Sequence, residues 1–127
     1  MGKILIIDDD LAMRRTIARI LEGAGFDVLI AEDGRIGLEL FRAHAPSLVI
    51  TDLLMPGKDG LETIRDIRSS GQGTKILATS GGWRTAKLDF LSVAAEFGAD
   101  LVLSKPFRAR DLLDLVERLL GPGVRRV

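Results

Sequence analysis

The sequence predicts a doubly wound α/β domain, a three-layer sandwich in which one five-stranded parallel sheet lies between two layers of helices. Three observations point there. Short apolar runs rich in Ile, Val and Leu recur along the chain and end in polar residues. Between them, apolar residues fall at helical spacing. The joining stretches are short and punctuated by Gly, Pro and Asp, so each crossover is right-handed and lays its helix on one face of the sheet.

The first strand is Ile4 to Ile7, a continuous β-rich run that stops at Asp8, Asp9 and Asp10. From Leu11 to Ala24, Met13, Ile17, Ile20, Leu21 and Ala24 line one helical face while Arg14, Arg15, Arg19 and Glu22 turn away. Asp10 fits as the N-cap of that helix and Gly23 or Gly25 as its stop. Phe26 to Ala31 forms the second strand. Asp33 and Gly34 then open a helix carrying Ile36, Leu38, Leu40 and Phe41, which halts before Pro46. The third strand lies in Ser47 to Gly60, SLVITDLLMPGKDG, where an apolar run turns polar at Thr51 and Asp52 and then meets turn signals. Leu61, Ile64 and Ile67 mark a helix over Leu61 to Arg68, closed by a Ser/Gly cluster. Lys75 to Thr79 is the fourth strand, leading into Ser80, Gly81, Gly82 and Trp83. Leu88, Leu91 and Ala95 place a fourth helix, which stops at Gly98. Leu101 to Leu103 is the fifth strand, and a last helix runs near Arg110 to Leu120.

These elements fill one domain over residues 1–121, leaving a short tail at 122–127. The usual strand order for five such units is the flavodoxin-like 2-1-3-4-5, which makes strands one and three neighbours at the switch point where ligands bind. Asp8 and Asp9 end strand one, Asp52 ends strand three, Ser80 ends strand four and Lys105 follows strand five. Residues far apart in sequence therefore converge on one sheet edge.

Composition narrows the function. The chain has no cysteine, which excludes disulfide scaffolds, thiol catalysis and cysteine zinc sites and is compatible with a reducing compartment. Its 18 basic and 18 acidic residues cancel, giving no electrostatic reason to expect nucleic-acid binding. The apolar runs are strand-sized and the N-terminal one is quickly ended by acids, so neither a membrane span nor a signal peptide is expected, and the location expected is cytoplasmic.

The acids carry the chemistry. A carboxylate at the end of a buried strand is costly unless it is paired, hydrogen-bonded or bound to a cation, although Asp52 on its own segment also fits a turn aspartate bonding its loop. Three crowded carboxylates repel one another unless a cation sits among them. An all-oxygen set suits Mg2+, with Mn2+ as a substitute, and a lysine and a hydroxyl facing that cation suit a phosphate. The inference is phosphoryl chemistry in which Asp52, between the metal pair and the Ser80/Lys105 side, has the place of a nucleophile.

The motifs ILIIDDD, VITDLLMPGKDG, ILATSGG and LSKPF, each at a strand end, resemble the receiver domain of two-component response regulators, and in particular a stand-alone, chemotaxis-regulator-like receiver. The resemblance covers nearly the whole chain. It implies that Asp52 accepts a phosphoryl group from a histidine kinase or histidine phosphotransfer protein. It also implies Mg2+ held by Asp9, Asp52 and the backbone carbonyl of Leu54, with Asp8 acting mostly through water. Lys105 would pair with phosphoryl oxygens, Ser80 would swing in to bond them, and the Lys105–Pro106 peptide would be cis. Such a domain catalyses only its own phosphorylation and dephosphorylation, and its output is conformational change or onward phosphotransfer.

Simpler roles stand beside these. Asp10 serves as a helix cap, Asp8 fits a solvated neighbour of the true ligand, Thr79 competes with Ser80 for the hydroxyl role, and His44 reads as a surface residue at a helix end. Arg14 and Arg15 form a solvated face or dock a phosphodonor. A small aspartyl-phosphate phosphatase would need an acid where Leu54 stands, and a flavin carrier would need a hydroxyl-rich loop where the three aspartates are.

Three departures from the family pattern bear on the switch. Val102 stands where the family usually has an aromatic, so the ordinary hydroxyl-to-aromatic coupling is not expected, and the Gly-rich loop with Trp83 is the expected moving part. Arg108 replaces a capping aspartate. Leu113 and Leu120 are expected on a flank of the last helix, where two exposed leucines are either ordinary surface or the seed of a partner or homodimer contact through helix four, strand five and helix five.

Overall fold

A computed structural model of the chain describes residues 2–53, 60–81 and 94–121. Within them the chain runs β1 (Lys3–Ile7), α1 (Leu11–Gly23), β2 (Asp27–Ala31), α2 (Gly34–His44), β3 (Leu48–Asp52), α3 (Gly60–Ser69), β4 (Lys75–Ser80), a helical segment α4 at 94–97, β5 (Leu101–Ser104) and α5 (Ala109–Leu120). The five strands form one parallel sheet in the order β2-β1-β3-β4-β5, the usual order expected for five such units. Leu54, Trp83, Leu88, Leu91 and the tail at 122–127 lie outside the described residues.

The strands read as continuous apolar runs because both sheet faces are covered. Leu5, Ile7, Val49, Ile76 and Ala78 point to one side, where Leu38 and Phe41 of α2 and Ile64 and Ile67 of α3 close over them. Ile4, Ile6, Leu48, Ile50 and Leu77 point to the other, under Ile17 and Leu21 of α1 and Leu112 and Val116 of α5. Each fully buried Leu or Ile contributes about 1.5–3 kcal/mol relative to exposure, so these two layers hold the strand ends rigidly in place.

The ends of the helices follow the sequence with one refinement and one correction. Asp10 caps α1 through Oδ1, which accepts from the Ala12 and Met13 N–H groups, and the chain leaves the helix with left-handed Gly25 rather than at Gly23. Arg108 gives α5 no side-chain cap, since a guanidinium has no acceptor, but its own N–H donates to Asp111 Oδ2 at 3.2 Å, which supplies half of a capping box. The correction concerns Leu113 and Leu120. Both are half-buried and pack against the layer formed with α1 and β5, because a 12-residue helix over a twisted sheet rests a wider stripe than one line of contacts. They supply no exposed patch of the kind expected from the sequence, and among the described residues the exposed large apolar side chains are Leu11 and Ile30.

Away from the carboxyl edge, Arg68 ties three segments together. Its Nε and Nη2 donate to Gly98 O at 3.1 and 2.6 Å, its Nη1 to Thr74 O at 2.9 Å, and Nη2 also to Asp100 Oδ2 at 2.9 Å. Asp100 Oδ2 in turn accepts the Ile76 N–H at 2.7 Å. The end of α3, the start of β4 and the entry to β5 are thus fixed by one guanidinium.

Candidate phosphoacceptor site

Every predicted site residue among the described ones lies at the carboxyl edge of the sheet, and the ladders continue past the strand ends to hold them there. Asp8 N–H donates to Ala31 O at 3.1 Å, Leu53 N–H to Thr79 O at 3.0 Å, and Lys105 N–H to Ser80 O at 2.7 Å. The backbones that carry Asp8, Asp52 and Lys105 are therefore each bonded to a neighbouring strand. The Lys105–Pro106 peptide is cis, as the resemblance implies.

Strand alternation sorts the side chains by face. Asp8 follows Ile4 and Ile6, Asp52 follows Leu48 and Ile50, and Thr79 follows Leu77, so these three share the α1/α5 side. Ser80 follows Ala78 and shares the opposite side with Val102, which packs half-buried against the layer under α3. The two hydroxyls that compete in the sequence thus belong to different faces.

Oxygens of Asp8, Asp9 and Asp52 lie within 4.8 Å of one another. Asp8 is 1% and Asp52 6% exposed, whereas Asp9 is open to solvent. The solvated-neighbour role considered for Asp8 is overturned: burial leaves it no room for such a shell. Its Oδ1 accepts the Asp10 N–H at 2.9 Å, and its Oδ2 accepts from Lys105 Nζ at 2.8 Å. Lys105 Nζ also stands 3.6 Å from Asp52 Oδ2, so one ammonium spans both buried acids. Taken from water singly, either charge would be strongly unfavourable, and together they are tolerable. The donor set fits a hard divalent ion, because it is all oxygen, one member is solvent-facing, and among the described residues three carboxylates stand against one ammonium.

Three features of the site were not anticipated in the sequence. Arg14, read there as a solvated or docking face, donates from Nη1 to Asp8 O at 2.8 Å, fixing the turn that presents Asp8 and Asp9. The available signal was its place one turn after the Asp10 cap. Gly60 packs against the backbone at Asp52: a Cβ there would collide with Asp52 O and stand 2.6 Å from Leu53 Cα, and its N–H donates to Leu53 O at 3.1 Å. The Asp59-Gly60 dipeptide signals a turn in sequence, but not this contact. Thr79 is fully buried and its Oγ1 has no hydrogen-bond partner among the described residues, a condition costing on the order of 1–3 kcal/mol. His44 ends α2 beside Lys3, with Nζ 3.2 Å from Nδ1, at the opposite edge of the sheet from the acids.

The model of the response regulator receiver domain family matches residues 4–117. The chain belongs to that family. It is 38% identical over 122 residues to response regulator MprA of Mycolicibacterium vanbaalenii, covering 93% of this chain and 50% of that protein. It is 35% identical over 120 residues to the transcriptional regulatory protein CpxR of Escherichia coli K12, covering 94% and 50%. The receiver therefore spans half the length of these curated relatives. Among solved structures, a receiver domain from Clostridium thermocellum superposes with a TM-score of 0.86 at 30% identity, covering 94% of each chain. The chemotaxis protein CheY4 of Vibrio cholerae gives 0.84 at 29% identity, covering 94% of this receiver and 98% of that chain. The fold is thus the flavodoxin-like one of receivers in two-component signalling, and no helix among the described residues is long and apolar enough to cross a membrane.

Proposed function

We propose that this receiver accepts a phosphoryl group on Asp52 from a phosphohistidine of a histidine kinase or phosphotransfer protein, and signals through protein contacts made by the altered domain. One observation carries the reading: the single ammonium of Lys105 lies between two buried carboxylates at the tip of the central strand. A purely structural ion pair would need one acid, not two with a third, Asp9, at their side.

In the transfer, an Asp52 carboxylate oxygen forms a bond to phosphorus as the donor's N–P bond breaks. The electron pair of that bond returns to the imidazole, which takes a proton from solvent. Lys105 is placed to meet the negative oxygens of the transferred group, and it leaves Asp8 to do so. Asp8, Asp9 and Asp52 would hold a Mg2+ ion, which when bound offsets the charge brought together by the acids and the phosphoryl group. By family resemblance the backbone carbonyl of Leu54 would add a further oxygen ligand. Ser80, at the end of β4 and tied through its carbonyl to Lys105 N–H, supplies the hydroxyl that closes on the phosphoryl oxygens. Leu54 offers no polar group to place water beside the acyl phosphate, so the modified form should hydrolyse slowly. The domain assignment belongs to the same proposal, with residues 1–121 as the receiver.

The test is intact-mass measurement after incubation with acetyl phosphate, with and without Mg2+. One phosphoryl group should be gained only with the metal present. Asp52→Asn should reduce uptake by about a thousandfold or more, the scale of removing a nucleophile. Uptake persisting in that variant would remove Asp52 as the acceptor.

A further inference from the structure

In the sheet order β1-β3-β4-β5, Lys105 leaves the end of β5 and its ammonium reaches acids on β3 and β1. To do so its side chain must cross the tip of β4. Its stem is near that tip, since a Cβ added at Gly81 would lie 4.0 Å from Lys105 Cδ. The β4 residue beneath this path is Thr79, the register partner of Asp52 on one side and of Leu103 on the other. Its side chain is on the same face as Asp52, it is completely buried, and its hydroxyl has no hydrogen-bond partner among the described residues.

The ammonium has three N–H donors and no acceptor, whereas the threonine hydroxyl has two lone pairs to offer. In the structure as it stands the ammonium is drawn across β4 to Asp8, at 2.8 Å, and makes no hydrogen bond to the hydroxyl. An anion on Asp52 would compete with that pull from the β3 side, and a cation taking Asp8 would remove it; either change would let the lysine settle back toward β5, over Thr79. We propose that Thr79 is a positioning residue for Lys105, its buried hydroxyl accepting a hydrogen bond from the ammonium in the loaded form and standing idle in the form described here. This rests on the acceptor reading of Asp52 above. It gives Thr79 a role different from that of Ser80, which approaches from the other face.

The two forms make opposite demands on the same hydroxyl, and this separates a positioning role from a packing one. Thr79→Val keeps the shape and removes the unpartnered polar atom, so the unloaded protein should melt at a higher temperature than wild type. The same variant should bind Mg2+ with beryllium trifluoride, a mimic of the phosphoryl group, about tenfold more weakly, the loss expected for one charge-assisted hydrogen bond. Thr79→Ser, which keeps the hydroxyl and drops the methyl, should bind the mimic within about twofold of wild type. A Thr79→Val protein that binds the mimic as tightly as wild type overturns the inference, as does one whose melting temperature falls. If wild type and Asp52→Asn respond alike to the mimic, the acceptor reading itself fails, and that is visible before any Thr79 variant is compared.

Discussion

Among the described residues, the ionic clusters around Arg68 and around Lys105 are built on opposite principles. Around Arg68, donors and acceptors balance: one guanidinium meets Gly98 O, Thr74 O and Asp100 Oδ2, and Asp100 Oδ2 also takes a backbone N–H. Around Lys105 they do not. Two carboxylates share one ammonium with a third beside them, the second acid is 3.6 Å from it rather than 2.8 Å, and a hydroxyl on the same face has no hydrogen-bond partner among the described residues. A balanced cluster has a single stable arrangement and serves as scaffold. An unbalanced one is kept buried although it costs stability, which is the mark of a site rather than a brace.

The largest effect that tests this contrast is on Lys105. Lys105→Met should lower the stability of the metal-free protein by about 3–5 kcal/mol, because it leaves two buried carboxylates facing each other. Millimolar Mg2+ should restore a good part of that loss, which urea unfolding with and without the metal will read. A deficit that the metal leaves untouched would mean the acids do not form a cation site. Next in size, Arg68→Met should cost about 2–3 kcal/mol, mostly from stranding the carbonyls of Gly98 and Thr74, since the ion pair with Asp100 is a third exposed and screened. Here Mg2+ should restore no more than it adds to wild type, and the folded variant should take up phosphoryl label at the wild-type rate. A large loss of uptake would show that the two clusters are coupled. The smallest effect sets the scale for a residue in neither cluster: Arg108→Ser should raise stability by about 0.5–1 kcal/mol by giving α5 a side-chain cap, measured as a shift in the unfolding midpoint.

Much of this was legible in the sequence. The continuous runs at Ile4–Ile7 and Val49–Ile50 gave buried parallel strands, Asp10 gave a helix cap, Asp33 and Gly34 gave a helix start, and the strand order matched the usual one for five such units, which the residues alone do not dictate. Asp8, Asp9, Asp52, Ser80 and Lys105 could be assembled because all five stand at strand ends, and strand ends share an edge. Arg14, Gly60 and Arg68 could not be placed in the same way. Their roles depend on a guanidinium folding back on a turn, on one backbone crossing another, and on segments 30 or more residues apart meeting at one point. No local period encodes such contacts. The surplus apolar surface inferred for α5 failed for a related reason: Leu113 and Leu120 were assigned by helical angle alone, and the sheet's twist widens the stripe that packs.

The bond from Lys105 to Asp8 joins residues 97 positions apart, from opposite ends of the domain. A chain still emerging from the ribosome has both buried acids long before it has the counter-charge that lets them lie together. Until the final strand docks, the acidic edge is without the lysine that joins Asp8 to Asp52, so the cluster is assembled only when the last β-segment is in place. Completion of this edge and completion of the sheet then become the same event.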